Sequence, residues 1–438
     1  SRTLGLFVQQ QFGINDRLFV TGAVRGDDNS AFGEDFDVVI YPKVSASWVI
    51  SEESFFPASS AITSLRLRAA WGESGNQPGV TDAVRFLRGV AATSPEDVDA
   101  IGVTFVPDPD DPNSFGGLGN PDLEPERSQE LEIGFDADLW DRRLSLELTA
   151  YDKDTKDALV FRNLAPSLGA VNGRFENIGD TQNRGIEAAI RAVPVQGRAL
   201  TWELSVSGSI NDNELKTLGE GVEPFSFGFE QRHAPGFPLG AYWERPIESF
   251  DDADGNGIIT ADEVVVGDTL VFIDDAIPTR EASFRTSATL FDRVQVAGLL
   301  DYRGGHSLHN NTSEFRCRLG NSAERHDPTT PLETQAACMA DAFGGTEFGY
   351  IEDAEFLKLR EVSVTLFAPA QWARTLGADR VSLTLSGRNL ITWTGYSGVD
   401  PEVNTFGAQG VDGAGFGQSD FGTQPPVRYF TARLNVSF

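Results

Sequence analysis

The sequence predicts an all-β fold, a transmembrane antiparallel β-barrel, and three observations predict it. Apolar and polar residues alternate with period two along runs of about ten residues, the length a tilted strand needs to cross a bilayer. Short turns alternate with long polar connections along the chain, as in barrels that expose loops on one side of a membrane only. No run of about 18 apolar residues occurs that could cross as a helix.

The alternation is clearest at the C-terminus, where Phe430, Ala432, Leu434, Val436 and Phe438 interleave with Tyr429, Thr431, Arg433, Asn435 and Ser437. One face suits lipid and the other water. The same pattern marks Leu131, Ile133, Phe135, Ala137 and Leu139, then Leu144, Leu146, Leu148 and Ala150. It returns in Trp202, Leu204, Val206, Gly208 and Ile210, and in Val381, Leu383 and Leu385.

On this basis strands are expected near 3–13 and 17–26, joined at Asn15-Asp16, and near 38–50 and 63–73. Two more lie near 127–139 and 143–154, joined at Asp141-Arg142, and two near 183–193 and 199–211, joined through 194–197. The remainder fall near 280–290 and 294–304, joined at Asp292-Arg293, and near 355–367, 380–391 and 427–438. Long polar stretches at 76–126, 155–181, 212–279, 305–353 and 393–426 separate them.

Placing the short turns on the periplasmic side makes the first and last strands both run downward. The parity closes only if Pro238 to Trp243, which also looks strand-like, stays in the loop 212–279. Thirteen strands make an odd, open set, and lipid-exposed edges are not tolerated in a membrane, so further strands are expected to complete the barrel.

Composition agrees with this class. With Gly 45, Phe 31 and aromatics at 10%, the mean hydropathy is only −0.23, because lumen-facing and lipid-facing residues cancel in an average. A net charge of −30 argues against a nucleic-acid partner, which requires clustered Lys and Arg. Cys317 and Cys338 sit close together in a polar stretch, which in an oxidising compartment reads as a disulfide, the alternative being two unrelated thiols. The chain begins at Ser1 and its one methionine is Met339, so it reads as part of a longer chain, 1–438 being a C-terminal barrel portion.

The sharpest local motif runs from Asp252 to Glu263 and fits the EF-hand loop pattern. Asp252, Asp254 and Asn256 would supply side-chain oxygens to calcium, Gly257 the sharp turn and Ile258 its carbonyl. Thr260 would act through water and Glu263 would close the site bidentately. No flanking helices are evident, so the expectation is an isolated calcium loop that stiffens an extracellular segment.

The histidines are His233, His306, His309 and His326. The spacing of His306 and His309, with Cys317 following, could suggest zinc. The set lacks strand or helix framing, and solvated loop histidines with Cys317 in a disulfide are the preferred reading. Arg25-Gly26-Asp27 reads as lumen charge and turn chemistry. Glu352, Asp353 and Glu355 read as solvated or calcium-attracting charge at a strand entry. No group has a definable catalytic role, so no enzyme is expected.

Several stretches together resemble the SusC/RagA-like TonB-dependent transporters of the Gram-negative outer membrane. They are Val24 to Gly33, Tyr41 to Trp48, Leu65 to Gln77, Asn120 to Glu126, Asn177-Ile178-Gly179 with Asn183 to Glu187, Ala354 to Val362, Gly387 to Leu390 and Tyr396 to Glu402. The resemblance implies import of an oligomeric nutrient, an oligosaccharide or a peptide, through a barrel of about 22 strands. This chain would supply about 13 of them. It further implies an N-terminal plug that is absent here, energy through TonB, and a SusD-like lipoprotein lid.

The terminal Phe438 resembles the aromatic signal for barrel insertion. Loop aromatics Phe225, Phe227, Phe229, Trp243, Phe343, Tyr350, Phe406 and Phe416 either stack on sugars or cover apolar surface, the second being preferred. The competing readings are a calcium-stabilised surface adhesin and a passive porin.

Overall fold

In the computed structural model, the described residues are 3–29, 38–57, 61–76, 78–79, 82–93, 99–106, 118–164, 173–219, 221–228, 230–320, 322–375, 377–405 and 417–438. Of the expected features, Ser30 to Gly33, Gln77, Phe229, Phe406 and Phe416 lie outside them.

Thirteen strands form one antiparallel sheet in which every strand pairs with its neighbours among them in chain order. They are β1 (Thr3–Ile14), β2 (Leu18–Asn29), β3 (Val39–Val49), β4 (Ile62–Ser74), β5 (Arg127–Leu139), β6 (Leu144–Lys156) and β7 (Asp180–Gln196). β8 (Leu200–Thr217), β9 (Arg280–Leu290), β10 (Val294–Gly304), β11 (Phe356–Phe367), β12 (Arg380–Thr394) and β13 (Tyr429–Ser437) complete it. All thirteen coincide with the strands expected from the alternation. The short turns take left-handed residues, Asn15 (φ 51°) and Asp16 (φ 54°) between β1 and β2, and Asp141 (φ 54°) and Arg142 (φ 65°) between β5 and β6. Such turns match the twist of the strands they join.

Register turns the alternation into two faces. Ile133 opposes Ala150, Phe135 opposes Leu148 and Ala137 opposes Leu146, while the intervening positions pair Gly134 with Thr149 and Asp136 with Glu147. The polar face is cross-linked. Arg66 and Arg68 both reach Asp136, at 2.5 and 3.0 Å, and the Tyr151 hydroxyl donates to Asn211 at 2.8 Å. Gly185 makes that phenol fit, since a Cβ there would stand 2.4 Å from the Tyr151 oxygen. This is a physical reason for glycine in the Asn183 to Glu187 stretch.

The sheet has little hydrophobic core of its own, as a barrel wall needs none. Buried apolar side chains such as Tyr242, Ile259, Leu308, Cys317 and Tyr350 gather in the long connections. The outer edges of β1 and β13 have no partner strand among the described residues. Along β13 both faces are exposed, Phe430 at 75% and the following Phe438 at 85%.

Residues Ala241–Glu244 do form a strand, but outside the large sheet. They pair in a four-stranded sheet with Phe225–Phe227, Gln231–His233 and Val271–Asp274. The connection 305–353, expected as a loop, contains the helices α1 (Asn311–Arg318), α2 (Ala323–His326) and α3 (Leu332–Met339). Local chemistry accounts for α1. The Asn310 side chain accepts the Ser313 N–H as N-cap, and Arg316 and Arg318 sit in the last turn where the helix dipole favours cations.

The two faces give a direct expectation. Leu148→Arg, in the apolar row, should cost about 2–4 kcal/mol in folding into bilayers, whereas Ser207→Arg on the opposite face should cost a small fraction of that. Urea titration of the membrane-folded protein measures both, and equal costs would mean the faces are misassigned.

Candidate functional site

The Asp252 to Glu263 loop lies between two short paired strands, Ile247–Phe250 and Val264–Val266. In place of an exit helix there is a single 3-10 turn, Ala261–Glu263, closed by a reciprocal capping box between Thr260 and Glu263. Gly255 (φ 71°) and Gly257 (φ 80°) supply the left-handed positions that curl the loop inward.

Backbone N–H groups aim the carboxylates. Asp252 Oδ1 accepts from Asn256 N at 3.0 Å and its Oδ2 from Gly257 N at 2.9 Å. Asp254 Oδ1 accepts from Asn256 N at 3.0 Å, and Glu263 Oε1 accepts from Ala253 N at 2.8 Å. As a result one oxygen each from Asp252, Asp254 and Glu263 lies within 4.8 Å of the other two.

Asn256 and Thr260 are turned elsewhere. Asn256 donates to Asp254 and accepts from Ile258 N, at 2.7 and 2.6 Å, and the Thr260 hydroxyl donates to Glu263 Oε2 at 2.8 Å. Hydrogen bonds from the Thr260 backbone and side chain hold the Glu263 carboxyl below the usual glutamate range. The donor set is all oxygen, which suits a hard cation such as calcium.

Sequence reasoning missed what holds this loop. Ile259, 1% exposed, packs on Ala336 and Met339 of α3 with Val264 beside them. Gln335 clamps the backbone: its Oε1 accepts from Ile259 N at 2.8 Å, and its Nε2 donates to the Gly257 and Thr330 carbonyls, both at 2.9 Å. A single glutamine in a polar stretch carries no motif that could have announced this. Helix α3 is in turn joined to α1 by the Cys317–Cys338 disulfide, with a Cα–Cα distance of 5.7 Å.

The expectation of solvated loop histidines is corrected for three of the four. His306 and His309 flank and belong to a strand, Ser307–His309, that pairs with Ile351–Asp353. Both are buried, because this hairpin lies inside the packed connections. His309 Nε2 stands 2.9 Å from Glu347 Oε2. Burial lowers the His306 pKa even though Asp274 and Asp353 pull it upward. His233 stacks on Phe227 with ring centroids 4.5 Å apart, and burial lowers its pKa to about 4. His326 alone is exposed.

The acidic group at the strand entry is also engaged. Glu352 accepts from Asn310 Nδ2 at 2.9 Å and from Ser397 N at 2.8 Å; Glu355 accepts the Tyr302 hydroxyl at 2.9 Å. Among the aromatics, Trp243 packs edge-on against Phe237 and Phe272, Tyr350 is buried and Phe343 is exposed.

A second arrangement ties the last connection to the sheet's polar face. Lys358 Nζ reaches Asp400 at 2.5 Å and Glu402 at 2.6 Å. Arg360 grips both Glu402 oxygens and donates to Asp301 at 2.8 Å. A bulge shifts register between Leu359 and Glu361, so that consecutive Arg360 and Glu361 both make polar-face ion pairs, Glu361 with Arg388 at 2.7 Å. Arg25 pairs with Asp27 at 2.9 Å on β2. Burial alone would raise the Glu402 pKa, but hydrogen bonds and charge from Arg360 and Lys358 hold it down at about 2.

A folded-state pKa below the ordinary glutamate value stabilises fully above that value and is lost as pH falls toward 2. The Glu402 latch should therefore weaken between about pH 5 and pH 2, by on the order of 3 kcal/mol. Amide exchange of residues 396–405 at stepped pH checks this. Glu402→Gln should abolish the pH dependence, and an unchanged profile in that variant would contradict the assignment.

Comparison with known proteins places this geometry. Residues 1–256 match the family model described as TonB dependent receptor-like, beta-barrel. A TonB-dependent receptor of Formosa agariphila, P26, is 26% identical over 99% of this chain and 46% of its own length. The TonB-dependent receptor SusC of Bacteroides thetaiotaomicron is 24% identical over 91% of this chain and 41% of its own. Among solved structures the RagAB peptide transporter superposes with a TM-score of 0.77 at 19% identity, over 100% of this chain and 48% of that one. The chain thus spans less than half the length of these relatives.

Proposed function

This chain belongs to the TonB-dependent receptor-like β-barrel family of the outer membrane, and we propose that the protein carrying it imports an oligomeric nutrient. The cargo class is an oligosaccharide or a peptide, taken between the long connections and a SusD-like lipoprotein, with energy delivered through TonB. The observation that carries this reading is the open sheet with one apolar and one ion-paired face. Such a sheet accounts for part of a wall that must close around a polar interior. The relatives extend well beyond it, and two of them are described as SusC and as a peptide transporter.

In this reading the long connections are extracellular and rigid. Calcium held by the converging carboxylates of Asp252, Asp254 and Glu263 stiffens them, with Asn256, the Ile258 carbonyl and Thr260 through water joining once their present hydrogen bonds are exchanged for the ion, and Gln335 transmits that stiffness to α3. Phe438, at the exposed end of the last strand, serves the barrel-insertion machinery.

Deleting the gene in its host and supplying labelled oligosaccharides and peptides tests transport. The account expects loss of uptake of one oligomer class, with the monomer unaffected, and no rescue when the proton gradient is collapsed. Undiminished uptake of both classes, or uptake that survives collapse of the gradient, would contradict it.

Glu263→Gln should weaken calcium binding at least tenfold in titration calorimetry of the purified receptor. It should also remove the protection that calcium gives the 252–263 segment against proteolysis. An unchanged affinity would show that calcium binds elsewhere.

A further inference from the structure

We propose that His309, Glu314 and Glu347 form a second cation site inside the loop assembly, for a first-row transition divalent ion such as zinc or manganese. Three separate elements bring these residues together. His309 ends the strand Ser307–His309, Glu314 lies in the first turn of α1, and Glu347 stands just before the 3-10 turn Phe348–Tyr350. One ligand atom from each falls within 4.8 Å of the other two. His309 is 0% and Glu314 2% exposed, so this is an interior constellation unlike the open loop at Asp252.

The charge around it is far from balanced. Asp341 and Glu244 are also buried beside it, and Glu230 hydrogen-bonds to Glu244 and feels Glu347. Against these five carboxylates stand the Arg318 guanidinium and, when protonated, the His309 imidazole that pairs with Glu347. Arg318 bonds Glu314 and reaches Asp341 and Glu347, each at 2.8 Å. Arg318 takes Oε1 of Glu347, while Oε2 of Glu347 faces His309. Buried carboxylates in such excess persist only when protonated or neutralised by a cation.

A separate observation points the same way. The Tyr350 hydroxyl is buried and has no hydrogen-bond partner among the described residues, although Asp341, Glu324 and Glu314 lie close enough to act on it electrostatically. A water bound to a cation would meet such a group, since ion-bound water donates and accepts where a side chain does not reach. Imidazole in the donor set selects transition ions over calcium, which prefers oxygen alone. The disulfide preorganises the site: Cys317 lies on α1 between Glu314 and Arg318, and Cys338 on α3 leads directly to Asp341.

The test uses the intact receptor in detergent, stripped with chelator and then saturated with calcium. Zinc is titrated by calorimetry and bound metal counted by mass spectrometry. One equivalent of zinc is expected, with at least tenfold weaker binding in His309→Ala and in Glu347→Gln and unchanged binding in Glu263→Gln. No stoichiometric zinc or manganese in the wild type overturns the proposal, as does wild-type affinity in both site variants. Should the histidine variant not assemble, pulsed EPR of the wild type loaded with one equivalent of copper decides. Imidazole nitrogen coupling supports the site, and an all-oxygen spectrum overturns it.

Discussion

Pairing of every backbone N–H and C=O at bilayer depth is the constraint from which the rest of this structure follows. Water cannot satisfy those groups in hydrocarbon, and each unpaired one costs several kcal/mol. Strands β2 to β12 meet the requirement from both sides. Because side chains alternate along a paired strand, one face is then free to be apolar and the other to carry Arg66, Arg68, Asp136 and Tyr151. The outer edges of β1 and β13 cannot remain open in lipid, which agrees with a chain that spans under half of its relatives.

Beyond the bilayer the same chain obeys different rules. The connections between β8 and β9, β10 and β11, and β12 and β13 pack on one another and bury their own apolar and charged residues. Two ties join them, the Gln335 clamp on the Asp252 loop and the hydrogen bond that Asp420 accepts from Thr312, while Asp420 also accepts from the Tyr396 hydroxyl and the Cys317–Cys338 bond braces the connection between β10 and β11. The Lys358–Asp400 and Arg360–Glu402 pairs then anchor the last connection to the polar face of the wall.

Most of the wall was legible in the sequence because its signal is local. Period-two alternation and Asn15-Asp16 or Asp141-Arg142 turns need no knowledge of distant residues. The Asp252 motif was legible for the same reason, since its oxygens all come from twelve consecutive positions. What stayed hidden is tertiary. The bulge at Arg360 depends on register with β10 and β12. Helices α1 and α3 are short, and the disulfide and the packing of Ile259 hold them together more than propensity does. His309 looked solvated because its polar neighbours in sequence gave no sign that Glu347, Glu314 and Tyr242 would enclose it.

The central claim is that one face of this sheet meets lipid and the other a polar interior. Spin labels placed singly at residues 144 to 150 in the membrane-embedded receptor test it most directly, by comparing collisions with oxygen and with a water-soluble nickel complex. The account predicts a period of two, with oxygen dominating at Leu144, Leu146, Leu148 and Ala150 and oxygen accessibility falling at Ser145, Glu147 and Thr149. Uniform access of the nickel complex to both sets would contradict it, and would return the sheet to an aqueous surface protein.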